Sequence, residues 1–243
     1  MGAALTPRVG VVTGAASGMG AACVARLRAT VDHLLEVDLP SDITDATTVA
    51  ALVAQVEALG EFRFLVHCAG LSPTMADGRR IAEVNLMGTV LLLDAFEALV
   101  TDGSVAVCFA STAGHYPIDG AGDPRDANFF DANAALLTDP GLAYAFSKRC
   151  VIKEAARAAL RWGPRGGRVV SLSPGVIDTP MGRQEFARQP IMRGMVESAA
   201  LGRMGTADEV AAVAAFLVSD AASFVTGVDI RVDGGEGASQ SAG

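Results

Sequence analysis

The stretch Arg8-Val-Gly-Val-Val-Thr13-Gly14-Ala-Ala-Ser17-Gly18-Met19-Gly20 decides the fold. Arg8 to Thr13 is the valine-rich run of a buried strand, and it passes directly into a glycine-rich turn and a helical segment from about Gly18 to Thr30. Glycines here let the chain turn sharply and bring backbone N–H groups against a pyrophosphate at the helix N-terminus. With a strand before it and a helix after it, the turn reads as dinucleotide-binding, and Gly14, Ser17, Gly18, Met19 and Gly20 are its candidate contacts.

A second strand, His33 to Asp38, ends ~20 residues beyond Gly18, where an acid is expected to accept from the ribose hydroxyls. Asp38 stands at the strand's carboxyl end, and Glu36, on the same face, is the reserve candidate. A 2′-phosphate would need a nearby Arg or Lys, whereas Ser17, Leu39 and Pro40 surround this point. NAD(H) is therefore expected over NADP(H). Asp42 and Ile43 follow almost at once, leaving little room for a helix, and would flank the adenine.

Strands and helices go on alternating, which argues for a parallel sheet covered on both faces. A helix from about Asp45 to Leu59 precedes a strand, Phe62 to Cys68, that delivers Cys68, Ala69 and Gly70, where backbone can approach a cofactor closely. Asn85 lies within a helical stretch from about Arg80 to Val100. A buried asparagine in a helix interior needs partners, so it is a candidate for a task of its own. The apolar strand Ser104 to Ala110 then delivers Ser111 to the sheet edge where ligands bind in open parallel sheets.

Asp139 offers an N-cap, Pro140 suits the first helical position, and Leu142 to Leu160 contains no Gly or Pro, so a long helix is predicted up to Trp162-Gly163-Pro164. On it Tyr144 and Lys148 are four residues apart and share a face. A free tyrosine titrates near ~10, and a lysine charge close by is expected to lower that value. A tyrosine so tuned can exchange a proton with an alcohol.

The remaining sequence sets bounds. The chain of 243 residues is 51% hydrophobic and 5% aromatic and carries a formal net charge of −8. Its length suits one large α/β domain, 1–243, and its acidity argues against nucleic-acid or anionic-membrane partners. Four cysteines without paired spacing read as small buried hydrophobes in a reducing cytoplasm, and no metal site is expected. No apolar run approaches the ~18 residues of a membrane span. Ser111 and Tyr144 are 33 positions apart, and the segment at about 115–138 between them reads as an insertion. The stretch Thr179 to Gly205 lacks a clear period but holds Met181, Phe186, Met192 and Met195, which suit a lid over an apolar substrate. Arg183, Arg188 and Arg193 in the same stretch are either solvated charges or a carboxylate contact. Thr206-Ala-Asp-Glu209 is a capping box opening a helix to about Ser219, Val228 to Val232 is the last strand, and 236–243 is expected to be disordered.

These motifs together resemble the short-chain dehydrogenase/reductase family over essentially the whole chain: Thr13-Gly14-x-x-x-Gly18-x-Gly20, Asp38, Asp42, Cys68-Ala69-Gly70, Asn85, Ser111, Tyr144-x-x-x-Lys148, Pro174-Gly175 with Thr179, and Gly202-Arg203. Within it, the short path from Asp38 to Asp42 and the insertion look most like the bacterial 3α-hydroxysteroid dehydrogenase/carbonyl reductase group. The resemblance implies an α/β single-domain Rossmann-type doubly wound parallel sheet of about seven strands in the order 3-2-1-4-5-6-7, with helices on both faces. It implies NAD-dependent interconversion of a secondary alcohol and a ketone on a small hydrophobic substrate. Tyr144 would be the acid/base, Lys148 would lower its pKa and hold the nicotinamide ribose, Ser111 would orient the substrate oxygen, and Asn85 would hold a relay water. It adds Pro174, Gly175, Ile177 and Thr179 to the cofactor contacts and implies a homodimer or homotetramer. Alternatives are a carbonyl reductase for a different ketone using NADP(H) and a non-catalytic dinucleotide-binding protein. Two positions depart from the pattern: His67 and Val170 stand where the family usually has asparagine. Ser171 and Ser173 match nothing catalytic and read as strand-end hydroxyls.

Overall fold

Buried apolar runs set the strands of this structure, a computed structural model that describes residues 6–241. In chain order the elements are β1 (Arg8–Thr13), α1 (Gly18–Leu27), β2 (His33–Val37), α2 (Ala46–Leu59), β3 (Glu61–His67), α3 (Gly78–Ala82), α4 (Gly88–Phe96) and β4 (Val105–Phe109). There follow α5 (Phe129–Ala132), α6 (Pro140–Trp162), β5 (Arg168–Pro174), β6 (Ile177–Asp178), α7 (Pro180–Arg188) and α8 (Ile191–Ser198). β7 (Gly205–Thr206), α9 (Ala207–Val218), β8 (Asp229–Val232) and α10 (Glu236–Ser241) complete the chain. The turn between α3 and α4, Glu83–Met87, is a π turn and carries Asn85.

Among the described residues, six strands form one parallel sheet in the order β2-β1-β3-β4-β5-β8, and β6 and β7 pair separately. This is the expected order without a strand at its outermost position. The cause is local: residues 38–45 alone join β2 to α2, and they fold as consecutive tight turns in which Ser41 N–H donates to Asp38 O and Asp45 N–H to Asp42 O. Backbone groups committed to turns cannot extend a sheet edge.

Alternation along each strand divides the core into two layers. On one face Val9, Val11, Leu65, Ala106 and Val169 pack against α2, α4 and α6, where Phe96, Phe62 and the fully buried Trp162 form an aromatic cluster. On the other, Val12, Phe64, Val66, Val107 and Leu172 meet α1 and α9. Val170 points into this second layer, so an apolar side chain is suited there. Ser171 and Ser173 lie inside β5 rather than at its end, and both donate to Asp229 Oδ1 (2.6 and 3.0 Å), tying β5 to β8. His115 Nε2 lies 2.9 Å from the other oxygen of Asp229.

The insertion packs on the outer face of α4 and α6. Phe129 is buried and stacks on Phe146 of α6 at 6.0 Å, while Arg125 binds Asp94 of α4 and the buried Glu154 of α6. Asn133 holds the loop together, accepting from Ala121 N–H and donating to the Ala121 and Phe129 carbonyls. The stretch from 236 departs from expectation: it is helical to Ser241, and residues 242–243 lie outside the described residues. Gly237 N–H donates to the Asp233 carboxylate, which also accepts from Gly235 N–H, so a side-chain cap stabilises a helix that composition alone does not favour. No helix among the described residues is long and apolar enough to cross a membrane.

Phe129 gives the insertion its buried anchor. Phe129→Ala is expected to cost about 3 kcal/mol, measured by urea denaturation, against a much smaller loss for the less buried Phe130→Ala.

Candidate functional site

The carboxyl ends of β1, β3 and β4 open into a cleft of about 500 Å³. The turn residues Gly14, Ser17, Gly18, Met19 and Gly20 line it, as do Asp38, Asp42 and Ile43 after β2. Cys68, Ala69 and Gly70 after β3, Tyr144 and Lys148 on α6, and Thr179 complete the sequence-derived residues gathered there. Asn85 and Ser111 are not among these lining residues: Asn85 bonds both backbone groups of Leu71, and the Ser111 hydroxyl stands near the Tyr144 phenol. Three expected contacts stand apart. Gly175 N–H donates to Val232 O, which turns the chain after Pro174 toward β8, and Ile177 lines a separate cavity of about 100 Å³ with Leu201 and Asp233.

The residues at the turn fit a phosphate-bearing ligand. Gly14 has φ +68°, and a Cβ there would stand 2.8 Å from Ala69 N, so the turn closes on the next strand only because position 14 is glycine. Asp45, Asp77, Asp139, Thr179 and Thr206 each cap their helix with a side-chain oxygen, whereas Ser17, at the N-terminus of α1, does not. The uncapped amides and the positive end of the helix dipole are what an anionic oxygen requires. Asp38 straps this turn, accepting from Ala16 N–H (2.7 Å) and Leu39 N–H (2.8 Å). Asp42 accepts from Thr44 N–H and hydroxyl and from Arg80 (3.0 Å), and these bonds, the Thr44 hydroxyl first, hold its carboxyl below the usual range.

At the other end of the cleft Lys148 is buried, and its ammonium donates to Phe109 O at 2.8 Å. Burial pushes its pKa down to about 8. The ammonium stands 5.8 Å from the Tyr144 ring centre. The phenol, however, is not lowered: burial pushes its pKa up, the nearby Ser111 hydroxyl opposes this, and the charge of Glu185 adds to the rise. The expected lowering of Tyr144 by Lys148 is thus not what the protein alone shows: burial of the phenol is the largest influence, and the ammonium is directed at a main-chain carbonyl. Asn85 joins the same region. Its Oδ1 accepts from Leu71 N–H (2.7 Å), and its Nδ2 donates to Leu71 O (3.0 Å) and Ser147 Oγ (3.3 Å).

Glu185 is the residue that sequence reasoning missed. It is 6% exposed, and it accepts from Ser72 Oγ (2.6 Å) and Thr74 N–H (3.2 Å) and from the Thr74 hydroxyl and Gln189 amide. These bonds fasten α7 to the loop after β3. The helix itself had a signal in the N-cap and first-turn pair Thr179-Pro180, but its partner loop lies 113 residues earlier and left none. Of the lid arginines, Arg183 is paired with Asp178 and Arg193 lies over the Phe186 ring at 6.0 Å.

Comparison with known proteins agrees with this geometry. A family model described as Enoyl-(Acyl carrier protein) reductase matches residues 10–123 and 130–236, its gap falling within the insertion. A short-chain dehydrogenase/reductase of Alternaria brassicicola is 34% identical over 80% of this chain and 75% of its own length. The 3-alpha-hydroxysteroid dehydrogenase/carbonyl reductase of Comamonas testosteroni is 31% identical, covering 93% of this chain and 95% of its own. The crystal structure of the 3-alpha-hydroxysteroid dehydrogenase from Pseudomonas sp. B-0831 complexed with NADH superposes with a TM-score of 0.82 at 30% identity, covering 97% of this chain and 98% of that one. On these matches the chain belongs to the short-chain dehydrogenase/reductase family of oxidoreductases.

Proposed function

We propose that this protein interconverts a small, neutral, hydrophobic secondary alcohol and its ketone with NAD(H), Tyr144 acting as the acid/base. The observation that carries the reading is the single cleft that holds the uncapped glycine turn and Asp38 at one end and Tyr144 with Lys148 at the other. When bound, the dinucleotide supplies or accepts the hydride. In oxidation the Tyr144 phenolate takes the hydroxyl proton, and in reduction the phenol returns it to the carbonyl oxygen. Ser111, near the phenol, orients the substrate oxygen, and Lys148 would hold the nicotinamide ribose. Asn85's carboxamide is spent on Leu71 and Ser147, so a relay water would rest on its main-chain oxygen.

Selection of NAD over NADP follows from the groups at the far end. Asp38 faces the cleft beside Leu39, and Arg80, which also lines it, is already bound to Asp42 and Thr44. The likeness to the NADH-bound hydroxysteroid enzyme supports the same choice. Met19, Leu71, Met75 and Met181 line the cleft and suit an apolar ring. The buried Glu185, surrounded by neutral donors, disfavours a substrate carboxylate near Tyr144. Cyclic alcohols and hydroxysteroids are therefore the first substrates to try.

With NAD+ and a panel of hydroxysteroids, cyclic alcohols and secondary alcohols, NADH formation is expected, with NADP+ supporting a lower rate. A marked NADP+ preference would remove Asp38 as the selecting residue. Tyr144→Phe should lower turnover by about 10²–10⁴-fold while NADH binding, read by fluorescence, stays close to wild type. The pH profile supplies a separate check. Because Tyr144 is raised, oxidation should increase with pH through the alkaline range; Glu185→Gln removes a neighbouring negative charge, lowers that pKa, and should move the rising limb to lower pH. A limb that stays in place would show that Glu185 does not act on the phenol.

A further inference from the structure

We propose that His67 is a positioning residue that locks the cofactor loop and the π turn of Asn85 into one unit through a one-way hydrogen-bond chain. The direction of each bond follows from its neighbour. The Asn85 carbonyl can only accept, so the Thr89 hydroxyl proton is spent on it, at 2.7 Å. Thr89 Oγ1, 3.0 Å from His67 Nε2, must then accept from that nitrogen, which therefore carries the proton. In a neutral imidazole the other nitrogen is then an acceptor, so Thr13 Oγ1–H donates to His67 Nδ1 at 2.7 Å. The lone pairs of Thr13 Oγ1 in turn receive Ala69 N–H, at 3.3 Å. The chain runs from the loop amide of Ala69 through Thr13, His67 and Thr89 to the carbonyl of Asn85.

The groups around the ring keep it neutral. His67 is buried, Lys148 approaches from α6, Cys108 lies opposite on β4, and Cys68 follows in the chain. Burial, with the Lys148 charge, pushes the imidazole down to about 3, and burial raises both thiols, Cys108 to about 12. An imidazolium would also make Thr13 an acceptor from both His67 and Ala69 and leave its own proton without a partner. An asparagine at this position is too short to span Thr13 and Thr89 as the ring does, so the departure from the family pattern has a structural purpose here. Its consequence for cofactor binding rests on the reading of the cleft given above. Ala69 and Gly70 line the cofactor end, and Asn85 bonds Leu71 from beneath, so movement of the π turn is carried into the loop.

The chain holds three histidines, so imidazole nitrogen NMR on ¹⁵N-labelled protein, with His67 assigned by loss of its signals in His67→Gln, reads the tautomer directly. A single Nε2–H form, unchanged from about pH 6 to about pH 9, is expected, and Thr89→Val should perturb it. An Nδ1–H form, a titrating ring, or a pattern indifferent to Thr89→Val would overturn the proposal. Thr13 and Thr89 bond opposite nitrogens of one ring, so their contributions to NADH binding should be coupled through it. Thr13→Val and Thr89→Val are each expected to weaken NADH binding about fivefold. The double variant should be no weaker than the worse single one, and the coupling should vanish in a His67→Leu background. Additive losses would show a merely local role for each threonine. If the wild type bound no NADH, the reading of the cleft would fall, while the tautomer measurement would still decide the case for His67.

Discussion

The close approach of the Gly14 backbone to Ala69 is the constraint from which the rest of the site follows. β1 and β3 are neighbours whose carboxyl ends lie level, so the turn leaving β1 must pass over the end of β3. A side chain at 14 would meet the Ala69 amide, and φ +68° would strain any other residue. Because the turn closes there, Cys68 N–H reaches Thr13 O and Ala69 N–H reaches the Thr13 hydroxyl. The same closure aims the uncapped end of α1 into the cleft rather than across the sheet. The dinucleotide end and the hydrogen-bonded floor around His67 are thus two results of one backbone contact.

Buried charge governs the opposite end. Lys148 and Glu185 are both withdrawn from water, and each is satisfied by neutral groups: Lys148 by a main-chain carbonyl, Glu185 by two hydroxyls and two amides. Hydrogen bonds of this kind orient a charge without cancelling it, so its field still acts on a titratable neighbour. Tyr144 feels the negative member of the pair, and burial acts in the same direction, which explains why sharing a helix face with a lysine does not lower the phenol. Helical spacing sets which side chains can meet. Where an ammonium points is set by the carbonyls within its reach, here Phe109 at the end of β4.

Features written in adjacent residues were legible from the sequence. The glycine turn, the caps at Asp139 and Thr206, and the helix of Tyr144 and Lys148 each follow from a few neighbouring side chains, and the structure has them. The sheet order that the family resemblance implied is present as well, except at its edge, where turns between Asp38 and Asp45 leave no strand. What was not legible depends on partners far apart in the chain. Glu185 acquires its meaning from Ser72 and Thr74, and His67 from Thr13 and Thr89; no local pattern marks either residue. Ile177 shows the converse: it stands near Thr179 in the chain, yet the turn of Gly175 toward β8 faces it into a different cavity.

α6 is where the two long connections of the chain meet, and it explains how they divide their work. Its inner face presents Tyr144 and Lys148 to a cleft that α7 covers, with Glu185 fastening that cover to the loop after β3. Its outer face holds the insertion through Phe146, Arg149, Lys153 and Glu154. None of the insertion's described residues is among those that line the cleft. Its contacts brace the helix from behind. A helix packed on the sheet by an alanine-rich face and pinned outside by an aromatic stack and ion pairs has little freedom to tilt, which is what the proton transfer proposed for Tyr144 would require of the helix that carries it.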